Sequence, residues 1–74
     1  MTVIIRLFGR FRLGRFKEKQ MNVRPGTSVS QVIELLEIPL DEVGVSMVNS
    51  RHCRLDHVLS DNDVLALFPM VGGG

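Results

Sequence analysis

The chain has 74 residues, 45% of them hydrophobic and 23% charged, and carries a net charge of +1 at neutral pH. This length gives one domain with a thin core and little space for a deep pocket, because a chain so small buries only about 60% of its unfolded surface. The composition excludes a disordered chain, no apolar run approaches the roughly 20 residues of a membrane span, and the first residues lack a signal-peptide pattern, so a cytoplasmic protein is expected. The charge is also unevenly spread: residues 1–24 hold seven basic side chains against Glu18, whereas residues 25–74 hold seven acids against Arg51 and Arg54. Such a charge dipole can steer association. Cys53, the single cysteine, leaves no internal disulfide and fits a reducing compartment.

Residues 2–8 read as a first strand, with Val3, Ile5 and Leu7 on one face at period 2. Gly9 and Gly14 punctuate a basic stretch, and residues 16–23 return to an extended pattern in which Met21 and Val23 share a face, which together predict a hairpin with a long basic connection. Arg24-Pro25-Gly26 is a turn. A helix follows: Ser28 caps it with Gln31 reaching back, and Val29, Val32, Ile33 and Leu36 fall at i, i+3, i+4 and i+7. Pro39 is expected to stop it near Glu37, and residues 40–43 can add one turn with Asp41 and Glu42 outward.

The pattern then reverts to strands. Residues 45–48 form a short strand, Asn49-Ser50 a turn, residues 51–55 a polar strand, and Asp61-Asn62-Asp63 a turn in which Asn62 tolerates the left-handed conformation. Residues 64–68, Val-Leu-Ala-Leu-Phe, contain no polar side chain, which predicts a central strand buried on both faces. The order β-β-α-β-β-β gives an α+β fold: a mixed sheet of four or five strands on one main helix, with Val3, Ile5, Leu7, Val32, Ile33, Leu36, Leu65 and Leu67 as its core. Two hairpins joined through a helix bring the first and last strands together as parallel central neighbours. This is a β-grasp arrangement.

The domain is expected to span residues 1–71 and to end in a flexible tail, Gly72-Gly73-Gly74, with a free carboxylate. Glycines past the last strand add nothing to a core and lose the most freedom on ordering, and a frayed terminus can look the same. What they offer is a narrow backbone that can be threaded into another protein's active site. Three extended glycines reach roughly 10 Å, at about 3.3–3.6 Å per residue.

Val48-Asn49, residues 59–64 (Leu-Ser-Asp-Asn-Asp-Val), residues 67–74 (Leu-Phe-Pro-Met-Val-Gly-Gly-Gly) and the segment from Pro25 to Leu36 together resemble the ubiquitin-like sulfur-carrier proteins. These include the small subunit of molybdopterin synthase and the sulfur carrier of thiamine biosynthesis. The resemblance implies that an adenylating enzyme of the ubiquitin-activating type uses ATP on the carboxylate of Gly74, and that a sulfur donor converts the product to a thiocarboxylate. Phe68, Pro69, Met70, Val71, Gly72 and Gly73 would then bind partners, including a large synthase subunit or a thiazole synthase. The chain itself would hold no cofactor and would be a sulfur-donor protein or synthase small subunit rather than a stand-alone enzyme. Phe68-Pro69 leans to the molybdopterin branch and the third glycine to the thiamine branch, with a narrow preference for the former. Met70 stands where the molybdopterin branch frequently has another proline, and Ser50 where a glycine is often found.

Other constellations compete. The same activated Gly74 could be joined to lysines of other proteins, as in a ubiquitin-like modifier. The basic and aromatic stretch from Arg10 to Lys19 has the composition of a single-strand nucleic-acid surface or of a dock for an acidic protein, although the acidic remainder would repel phosphate. His52, Cys53, Asp56 and His57 lack tetrahedral zinc spacing, and on a strand His52 and Cys53 would face opposite sides, so no metal site is expected. Cys53 has no identifiable base to make it a nucleophile.

Overall fold

A computed structural model describes residues 1–71; the tail at residues 72–74 lies outside the described residues. The strands are β1 (Thr2–Leu7), β2 (Glu18–Asn22), β3 (Val43–Val48), β4 (Arg51–His52) and β5 (Val64–Pro69), and the helix α1 spans Val29–Leu35. They form one mixed five-stranded sheet in the order β2-β1-β5-β3-β4. β1 and β5 lie side by side and parallel, while β1–β2, β3–β4 and β3–β5 are antiparallel. This is the β-grasp, ubiquitin-like arrangement that the element order implies.

Val3, Ile5 and Leu7 of β1 meet Leu65 and Leu67 of β5 beneath Val29, Val32 and Ile33 of α1, and all eight are fully buried. Ile38, Leu59, Val23, Val48 and Phe11 complete this core, with Leu36 packed against its edge. At ~25 cal/mol per Å² of apolar surface removed from water, it is the dominant stabilising term.

Ser28 caps α1 as its sequence predicts: its hydroxyl accepts from the Gln31 N–H at 3.3 Å, and the Gln31 side chain accepts from the Ser28 N–H at 2.8 Å. The helix ends near Glu37, as expected, but by its own cap as well as by Pro39. Glu37 takes a left-handed φ of 59°, its N–H donates to Glu34 O, and the Ile38 N–H donates to Ile33 O. These two bonds make a Schellman stop, with buried Ile38 folded back on buried Ile33.

Two expectations are corrected. The strand foreseen over residues 51–55 covers only Arg51–His52: past Cys53, which packs against the core, the chain turns, with the His57 N–H donating to Arg54 O. β5 is central but not buried on both faces: Leu65 and Leu67 are buried, while Val64, Ala66 and Phe68 are half-buried. One helix covers one face, and the other face stays open. Among the described residues no helix is long and apolar enough to cross a membrane.

The turns around residues 49 and 61–63 form one polar corner. Asn49 Nδ2 donates to Asp63 Oδ1 at 2.9 Å, the Val64 N–H donates to Asn49 Oδ1 at 3.0 Å, and the Ser60 N–H donates to Asp63 Oδ2 at 2.8 Å. Asn49, Ser50 and Asn62 all have left-handed φ values. This corner fixes where β5 begins and therefore its register against β1 and β3.

Candidate functional site

The register of β5 determines where its C-terminal end emerges. Val43 pairs with Pro69 but Val45 with Phe68, so β3 bulges at Gly44. A Cβ at Gly44 would lie 2.9 Å from Met70 Cα and 3.0 Å from Pro69 O, so the end of β5 can pass only over a glycine. Gly9 flanks the other side: a Cβ there would stand 3.0 Å from Pro69 Cγ, at a φ of +55° that side chains rarely adopt.

Met70, which follows Pro69 past Gly44, is held through its backbone. Its N–H donates to Glu42 O at 2.8 Å, and its carbonyl accepts from Arg10 Nη1 at 2.9 Å. Arg10 Nε lies 3.8 Å from the Glu42 carboxylate. Met70 is 55% exposed and Val71 90% exposed, so burial falls away from Pro69 to Val71.

The open face of the sheet borders this exit. Alternation from the register puts Ile4, Arg6, Phe8, Val45, Met47, Ala66 and Phe68 on it. Phe8 and Phe68 stack with centroids 4.3 Å apart, 12° from parallel. The Arg6 and Arg12 guanidinium groups lie 5.8 and 5.1 Å from the Phe8 ring centroid, within cation–π range. Phe8, Val45, Met47, Phe68, Pro69 and Val71 line a shallow apolar depression here.

Of the residues singled out in the sequence, Phe68, Pro69, Met70 and Val71 are thus contiguous at one rim, while Gly72, Gly73 and Gly74 lie outside the described residues. Arg10, Glu42, Gly9 and Gly44 escaped notice as parts of this rim. Their only sequence signal was two isolated glycines, and a close approach of backbones depends on a register that the sequence alone does not display.

The basic connection between β1 and β2 has a structural use that composition does not reveal. Residues 9–12 form a 3-10 turn around buried Phe11. Arg12 Nε donates to Leu7 O at 2.6 Å, and Arg15 Nη2 and Nε donate to Glu37 O at 3.2 Å and Leu36 O at 3.4 Å. Arg15 therefore serves carbonyls left without partners at the end of α1. Three arginines of the stretch, Arg10 included, donate to main-chain carbonyls.

Elsewhere, half-buried Cys53 is tied to β3: its N–H donates to Ser46 O at 3.0 Å, and its carbonyl accepts from Ser46 Oγ at 3.0 Å. His52, Cys53, Asp56 and His57 form no cluster of three metal-ligating groups among the described residues. A second depression, on the helix side, is lined by Val23, Thr27, Gln31, Glu34 and exposed Leu35 and includes no residue of the exit.

The model of the ThiS family matches residues 5–74, from the middle of β1 through the last glycine. The chain belongs to the ThiS family. No curated protein sequence matches it. Among solved structures it is similar to a putative molybdopterin converting factor, subunit 1, from Pyrococcus furiosus, with a TM-score of 0.78 and 27% identity over 96% of this chain and 99% of that one. SAMP1 from Haloferax volcanii aligns over the full length of both chains with a TM-score of 0.78 and 20% identity. Subunit 1 or 2 in the complex of the two subunits of molybdopterin-converting factor from Helicobacter pylori aligns over the full length of both chains, with a TM-score of 0.68 and 22% identity. The likeness to the last two shows the fold. Family membership makes the chain a ubiquitin-like protein of the sulfur-carrier group.

Proposed function

We propose that the chain carries sulfur on the carboxylate of Gly74. What supports this reading is the site's construction: β5 ends at a backbone seat between Gly9 and Gly44, and Met70 and Val71 are followed by Gly72-Gly73-Gly74. The family match through residue 74 adds to it. In the first step a Gly74 carboxylate oxygen attacks the α-phosphorus of ATP, the bond to the bridging oxygen breaks, and pyrophosphate leaves. A sulfide nucleophile then adds to the acyl carbon and AMP departs with both electrons of the carbon–oxygen bond, leaving a thiocarboxylate. ATP is consumed by the adenylating partner and no cofactor resides on this chain. Water must be kept from the acyl adenylate, which requires the partner to close around the arm. A glycine backbone permits that closure.

The open face supplies the dock. Phe68, Pro69 and Val71 with Phe8, Val45 and Met47 offer apolar area rimmed by Arg6 and Arg12, which fits a partner surface that is apolar at its centre and acidic at its edge. For the recipient we favour the molybdopterin branch, on Phe68-Pro69 and on the 27% identity to the Pyrococcus furiosus subunit, with a large synthase subunit as the second partner. A free, half-buried thiol suits a cytoplasmic location.

The test is intact-mass measurement after incubation with ATP, the cognate adenylating enzyme and sulfide. The chain should gain the mass difference between sulfur and oxygen at its C-terminus, with pyrophosphate released. Covalent adducts to lysines, with no thiocarboxylate, would make it a protein modifier instead.

A further inference from the structure

We propose that Arg10 is a positioning residue for the arm: by holding the Met70 carbonyl it sets the heading of the chain where it leaves the domain. This rests on the carrier reading above and names how that reaction is made efficient.

Met70 is gripped at both of its backbone groups by two residues that also face each other. Glu42 takes the N–H through its own carbonyl, and Arg10 takes the C=O through Nη1 while its Nε turns to the Glu42 carboxylate. The planar guanidinium permits this division of labour, because its donors are fixed in a fork. Arg10 is itself held: it lies in the 3-10 turn beside buried Phe11, where the Phe11 N–H donates to Phe8 O and the Leu13 N–H to Arg10 O. The grip uses only the backbone of Met70.

Stability is not what this grip provides. The Arg10 and Glu42 side chains are each about half exposed, and exposed ion pairs contribute little to folding. Its effect falls on the arm, since fixing the peptide at Met70 removes orientations that Val71 would otherwise sample. An enzyme that must thread the arm binds only the competent fraction, so its apparent affinity falls in proportion when that fraction falls.

The experiment uses the full-length chain and its cognate adenylating enzyme, with Arg10→Met, Arg10→Lys and, as a control for charge steering, Arg24→Met. Amide relaxation by NMR reads the order of residues 70 and 71 in the free protein, and pyrophosphate release over a range of carrier concentrations reads KM and kcat. Arg10→Met should loosen the amides of Met70 and Val71, leave the melting temperature almost unmoved, and raise KM roughly fivefold with kcat little changed. Arg10→Lys should recover part of both effects, because an ammonium can reach the carbonyl but cannot serve Glu42 in the same fork. Arg24→Met should change neither.

Unchanged amide order in Arg10→Met, an unchanged or lowered KM, or an equal effect from Arg24→Met would each overturn the proposal. Absence of pyrophosphate release from the unaltered chain is a different result: it removes the carrier reading, and the positioning role with it.

Discussion

The two faces of the sheet arise from the same strand alternation, yet they carry different burdens. On the helix side Val3, Ile5, Leu7, Leu65 and Leu67 are fully buried under α1. On the other side Ile4, Phe8, Val45 and Phe68 remain half-buried, with Arg6 exposed among them. A chain with a single helix of this length can cover only one side. The open side therefore keeps an apolar surface at the root of the arm, where a partner can complete the burial. Packing makes the closed face intolerant of change, and the open face is where substitution should alter function more than folding.

The sharpest contrast comes from Leu67 and Phe68, adjacent residues that point to opposite faces. Leu67→Ala leaves a cavity beneath α1 and should cost about 2–5 kcal/mol, a large part of the stability of so small a domain, read by chemical denaturation. The polar corner comes next. Asp63→Ala strips partners from Asn49 Nδ2 and the Ser60 N–H and should cost about 1–3 kcal/mol.

Phe68→Ala loses the stack on Phe8, worth about 0.5–1.5 kcal/mol beyond its area. Its larger effect should be weaker binding to the adenylating enzyme, seen by calorimetry. If Phe68→Ala destabilised the fold as much as Leu67→Ala while binding was untouched, the division between the faces would fail. Glu34→Ala, exposed on α1, should stay within about 0.5 kcal/mol of the unaltered protein.

The parts of the fold legible in the sequence were those with strong local signals. Ser28 and Gln31 marked the helix start, the period-2 residues of β1 marked its buried face, and the apolar run of residues 64–68 marked the central strand. That same run misled on burial, because composition does not say how many layers cover a sheet. The end of α1 near Glu37 was legible from Pro39, but the Schellman stop that makes it was not, since a glutamate in the left-handed region carries no signature. At the site, Phe68 to Val71 stood out, whereas Gly9, Gly44, Arg10 and Glu42 did not. The partnership of Arg10 and Glu42 joins residues 32 apart through a backbone atom of a third, and no local pattern encodes it. Asn49 and Asp63, which helped to carry the family resemblance, prove to hold the register of β5.

The central claim is that the chemistry belongs to the Gly74 carboxylate at the end of an arm that the fold only presents. Mass spectrometry of Gly73→Val and Cys53→Ser beside the unaltered chain, after incubation with ATP, the cognate adenylating enzyme and sulfide, tests it most directly. Gly73→Val adds a β-branched side chain within the arm and should yield no thiocarboxylate at an unchanged melting temperature. Cys53→Ser should be converted as fully as the unaltered chain. Loss of conversion in Cys53→Ser together with normal conversion in Gly73→Val would contradict the account and move the sulfur chemistry to the thiol.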